Sequence, residues 1–117
     1  METTIEQLRI DRRFGNAVRE GRWVVPARID VTLAAANARL DFTEAQATTG
    51  LVDMTVDIGI GSTLTLIVPP GVRVVAEDLV TRLGHYDVRR RSAGATPVSL
   101  VIRVSGRLHG GGDLVVR

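Results

Sequence analysis

The sequence predicts an all-β repeat fold, a short solenoid of stacked β-coils, on three observations: apolar and polar residues alternate with period two, turns are sharply marked, and a small corner residue recurs every 21 to 28 positions. Alternation is clearest in Ala27-Arg28-Ile29-Asp30-Val31-Thr32-Leu33 and Val52-Asp53-Met54-Thr55-Val56-Asp57-Ile58, the signature of strands buried on one face. Leu100 to Val104 follows it less cleanly. Ala38 to Phe42, Leu64 to Val68 and Leu114 to Val116 are shorter strands of the same kind.

No long segment places apolar residues at i, i+3, i+4 and i+7, so no substantial amphipathic helix is expected. Two single turns are the exceptions. Thr3 with Glu6 forms a capping-box pattern, and Val75 to Leu79 has helical spacing. Pro69-Pro70-Gly71 has the chemistry of a type II turn, with proline setting φ at one central position and glycine accepting positive φ at the next. Thr48-Thr49-Gly50 and Ser92 to Pro97 read as loops.

The corner pairs are Gly15-Asn16, Ala36-Asn37, Gly61-Ser62, Gly84-His85 and Gly112-Asp113, spaced by 21, 25, 23 and 28 residues. Stacked coils need a tight corner at one place on every turn. A residue without bulk avoids the layer below, and the polar residue after it tolerates positive φ or bonds locally. One coil cannot bury its own apolar face, so neighbours stack into a common core. The 28-residue spacing requires an insertion, assigned to Arg89–Pro97. An antiparallel β-sandwich is the alternative, since hairpins also bring Gly-Asn and Gly-Ser at semi-regular intervals. No linker divides the chain. Residues 1–13 are assigned to an N-terminal extension capping the core and 14–117 to a single domain.

Composition narrows function. All 15 basic residues are arginine, and 13 acidic residues leave a formal net charge of +2, too little for long-range attraction to nucleic acid. Only four residues are aromatic, so bases have no stacking platform. The absence of cysteine removes disulfides, thiolate nucleophiles and Cys-ligated metals, and fits a reducing compartment. The charged N-terminus has no apolar h-region and no run approaches a membrane span, so the expected location is cytoplasmic, at most at the inner face of the membrane.

Residues that could carry chemistry are few. His85 and His109 lack metal-ligand spacing, and Ile60-Gly61-Ser62-Thr63 lacks a triad partner. His109-Gly110-Gly111-Gly112-Asp113 lacks the lysine and helix of a phosphate loop. Asp30, Asp41, Asp53 and Asp57 fall on solvated strand faces, where Arg28 and Arg39 can pair with them across neighbours. No enzyme, cofactor or metal site is expected. The candidate interaction residues are Arg89, Arg90 and Arg91, the one basic cluster, which Arg103 and Arg107 approach on stacking, and Trp23, whose simplest role is a cap over one end of the core. The cluster suits an acidic partner or peripheral contact with an anionic membrane surface. Leu114, Val115 and Val116 are the candidate end-to-end contact, because they form a strand at the end of the sequence with little following it that could cover the last coil.

Four stretches carry a family resemblance: Phe14-Gly15-Asn16, Gly21-Arg22-Trp23-Val24-Val25-Pro26-Ala27-Arg28, Leu40-Asp41-Phe42 with Glu44-Ala45, and Val68-Pro69-Pro70-Gly71-Val72-Arg73-Val74. From Phe14 to Arg117 the chain resembles the C-terminal domain of the cell-wall-active antibiotics response (LiaF-like) proteins, actinobacterial type. The resemblance implies a right-handed β-solenoid without enzymatic activity, in some relatives a regulator of a membrane sensor kinase in the envelope-stress response. It departs from that plan in lacking a transmembrane segment, and in having Ala36 where glycine is usual. Two functions follow as expectations: a non-enzymatic protein-interaction module, with a sensor kinase or itself as partner, or a self-assembling scaffold that polymerises head to tail. A homo-oligomer is expected in either case.

Overall fold

The computed structural model describes residues 7–47, 49–82, 84–88 and 97–117. Twelve strands run through them: β1 (Gln7–Arg12), β2 (Gly15–Arg19), β3 (Val24–Val25), β4 (Arg28–Ala34), β5 (Ala36–Asp41), β6 (Gln46–Ala47), β7 (Leu51–Gly59), β8 (Thr63–Ile67), β9 (Val72–Arg82), β10 (His85–Val88), β11 (Leu100–His109) and β12 (Asp113–Val116). The fold is all-β, with no helix among the described residues. None is therefore long and apolar enough to cross a membrane. Thr3 and Glu6 lie outside the described residues. Val75 to Leu79 is no helical turn; it lies inside β9.

The strands form parallel sheets of five, five and two, in the orders β1-β4-β7-β11-β9, β10-β12-β8-β5-β2 and β3-β6. This corrects both sequence expectations. An antiparallel sandwich is excluded because every strand pair is parallel. The solenoid, which adds each repeat to the growing end, is excluded because the chain does not stack in sequence order. Its last two strands, β11 and β12, enter between β7/β8 and β9/β10 instead of following them.

The quality of the strands explains that order. β11 and β12 bury Leu100, Ile102, Val104, Leu108, Leu114 and Val116 on a regular inner face, as a strand with neighbours on both sides should. β9 is mostly half-exposed or exposed. Its register against β11 slips between Arg103 and Ser105, which pair with Val75 and Asp78, so β9 carries one extra residue, a β-bulge around Ala76–Glu77. The bulge is the apolar spacing that reads locally as a helical turn. A bulged, charged strand suits a sheet edge better than an interior position.

Inner positions of both large sheets meet in one aliphatic core containing Ile29, Leu33, Leu40, Met54, Ile58, Leu64 and Leu66. Burying each such side chain stabilises the fold by about 1.5–3 kcal/mol before chain entropy is counted. Gln7–Arg12, assigned from sequence to a capping extension, forms β1, the edge strand of the first sheet, and buries Ile10. Pro69 to Val72 makes the expected turn, with the Val72 N–H bonded to the Pro69 carbonyl at 3.2 Å and Gly71 at φ 94°.

Candidate functional site

The corners between the two large sheets set the geometry of the outer surface. Register aligns Gly15 with Ala36, Asn37 with Thr63, Thr63 with Asp113, and Asp113 with His85. One row of small residues, Gly15, Ala36, Ser62, Gly112 and Gly84, therefore crosses the corner. In the third pair the member is Ser62, one place later than the sequence pattern indicates. Bulk is excluded here: a Cβ at Gly112 would lie 2.1 Å from the Ile58 carbonyl oxygen. Ser62 is fully buried, and its Oγ accepts the Ala36 N–H at 3.1 Å.

Just before this corner, strand alternation turns Asp57 of β7 outward, and register sets Arg107 of β11 beside it. Arg107 Nη2 lies 3.1 Å from Asp57 Oδ2, and His109 Nε2 lies 2.6 Å from Asp57 Oδ1. The imidazole fits because residue 59 is glycine: a Cβ there would lie 2.6 Å from His109 Cε1. Partial burial works against ionisation of Asp57. Hydrogen bonds from His109 and Arg107, with the charge of Arg107, outweigh it and hold the carboxyl below its ordinary value.

Val80 and Arg82 of β9 pair with Arg107 and His109 and close the far side of an open depression of about 780 Å³. Thr55, Val56 and Gly106 complete it. Gly106, paired with Val56, takes φ 110°, and the site of a Cβ there is only 2.0 Å from the Val56 carbonyl oxygen. The cluster pairs its own charges, leaving a depression walled by Val80 and edged by Arg82 and Arg107.

The sequence-derived candidates fall elsewhere. Arg89, Arg90 and Arg91 lie outside the described residues, so their approach by Arg103 and Arg107 is not described; Arg107 itself is committed to Asp57. Trp23 is a half-buried packing residue, with its ring 5.3 Å from that of Phe42 and its Nε1–H bonded to the Asp41 carbonyl at 2.8 Å. Leu114, Val115 and Val116 do not form an open end. They lie in β12 between β10 and β8, with Leu114 and Val116 fully buried, because the last segment enters the middle of the sheets. His85 is exposed on β10. Arg39 approaches Asp41 of its own strand at 4.0 Å, where pairing across strands was expected.

The sheet edges of the described residues are thus at other places. Among the described residues β1 pairs only with β4, β2 only with β5, β9 only with β11, and β10 only with β12. At the β1/β2 end Phe14 is 79% exposed and Val18 45% exposed. Among the described residues no group of three or more acidic or histidine side chains is placed to hold a metal ion. No protein-family model, curated protein or solved structure matches the chain, and nothing in these comparisons bears on the resemblance to the cell-wall-active antibiotics response proteins.

Proposed function

We propose that the protein is a non-enzymatic protein-interaction module that receives its partner along an open strand edge. The observation that carries this reading is the β1/β2 end, where among the described residues two parallel sheets stop together beside the exposed side chains of Phe14 and Val18. An edge strand offers main-chain donors and acceptors at fixed spacing, and a partner strand that satisfies them gains affinity from the backbone and specificity from neighbouring side chains. A large exposed aromatic is the usual anchor of such a contact. The titratable cluster at Asp57 favours binding over catalysis, because its carboxylate is taken by Arg107 and His109. The resemblance to envelope-stress regulators supplies the setting for a partner, and the absence of cysteine suits a cytoplasmic location.

The test is site-specific photocrosslinking in cells with the full chain, the photoreactive residue replacing Phe14 or Val18, and Thr55 on the outer face of β7 as the control position. A discrete protein adduct at the edge positions, absent at Thr55, is the expected result. No adduct at the edge, or the same adducts at all three positions, refutes the reading.

A further inference from the structure

We infer that the partner received at an open edge is a second copy of this chain, added head to tail, with the β1/β2 end of one protomer against the β9/β10 end of the next. The inference rests on the interaction-module reading and names its partner.

The two ends match in strand direction. Among the described residues both large sheets are parallel throughout and both end on strands of the same two segments, β1 with β2 and β9 with β10. A β1 strand laid on β9 continues the first sheet in its existing sense, and the same placement lays β2 on β10.

Register then specifies which residues meet. One inner row runs Ile10, Val31, Val56, Gly106, Leu79, so Ile10 of the next protomer stands over Leu79. In the second sheet the row from Ala17 ends at Tyr86, setting the smallest inner side chain of one end on the bulkiest of the other. On the outer face the row Arg9, Asp30, Thr55, Ser105, Asp78 begins with an exposed guanidinium and ends with an exposed carboxylate. Continuation brings Arg9 against Asp78 and brings no like charges together in any row of the described residues; of the two guanidiniums at the ends of inner rows, Arg12 comes over Thr81 and Arg19 over Val88. Because the contact joins two different surfaces, it does not close on itself and generates an open chain of protomers. This replaces the end-to-end contact expected at Leu114 to Val116, which is interior.

The experiment is sedimentation velocity on the full chain over a hundredfold concentration range, with Arg9→Asp, Asp78→Arg and the double exchange. Circular dichroism confirms that these exposed substitutions leave the fold intact. Wild type is expected to grow with concentration past the dimer. Each single exchange, replacing an attraction by a repulsion, should raise the concentration needed for association about tenfold, and the double exchange should restore it. A wild-type chain that stays monomeric or stops at a closed dimer overturns the inference, as do single exchanges that associate like wild type. If the chain is monomeric while a photoreactive residue at position 14 captures a different protein, only the second copy is ruled out as partner. If nothing is captured, the interaction-module reading fails with it.

Discussion

The hydroxyl of Ser62 accepts the backbone N–H of Ala36 at 3.1 Å inside the corner row, at a point where Ser62 is wholly shielded from water. A buried donor that loses its acceptor keeps its desolvation penalty, about 1–3 kcal/mol. Ser62→Ala fits the space, removes the acceptor and should destabilise the protein by about that amount in urea unfolding at neutral pH. A loss below about 0.5 kcal/mol would mean that the Ala36 N–H finds another acceptor.

Gly106 predicts a larger effect. An added Cβ would lie 2.0 Å from the Val56 carbonyl oxygen, and the backbone at φ 110° is one that side-chain-bearing residues rarely adopt. Both obstacles are backbone, so nothing flexible can give way. Gly106→Ala should cost about 3 kcal/mol or more, whereas Gly50→Ala, whose Cβ would meet only the Ser99 carbonyl oxygen at 3.8 Å, should change stability little beyond its backbone-entropy effect. Thermal unfolding of the two variants side by side checks the contrast.

Which of these features the sequence reveals depends on how local their cause is. Alternation around Asp53 and Asp57 reports strand faces directly, because the side-chain period is a property of one strand. In the row of small residues, Gly84 and Gly112 mark corners because crowding at the backbone excludes bulk, while Gly15 has open space around it and takes a positive φ of 90°. Ser62 falls in that row in place of Gly61, since both are small and the pattern cannot choose between them. The order of β9 and β11 is not local at all. It depends on how two whole strands compare as interior members, and on a long connection that lets the chain turn back. The bulge at Ala76–Glu77 looks helical for a related reason: an extra residue breaks the period, and only pairing with β11 reveals why. Asp57 and His109 stand 52 residues apart, so no spacing rule joins them.

The seat of His109 can be tested separately from the stability of the strand beneath it. Gly59 needs no positive φ, and the atoms a new Cβ would meet belong to the end of a side chain that can swing away. Gly59→Ala should therefore lower stability by less than about 1 kcal/mol while displacing the imidazole from Asp57. The readout is the carboxyl carbon of Asp57 followed by NMR through an acid titration. Its midpoint should move up toward the ordinary aspartate value when the His109 contact is lost, with Arg107 still in place. An unchanged midpoint would show that His109 contributes nothing to holding Asp57 ionised.

Asp57 also fixes the sign of one pH dependence. Its carboxyl is held below the ordinary value in the folded protein, so the unfolded chain binds its proton first as pH falls. The stabilisation from its partners is complete above the unfolded value near pH 4 and is lost as pH falls through the lower, folded one. The side chain of Asp57 is 38% exposed, so solvent screening limits the contribution to about 1 kcal/mol or less. Asp57→Asn should thus be less stable than wild type at pH 7, and the gap should narrow as pH falls below about 4 and wild type loses the same interactions. Urea unfolding of both proteins across that range measures the gap. A difference that stays constant with pH would mean that the Asp57, Arg107 and His109 contacts stabilise the fold by shape and hydrogen bonding alone, without the charge.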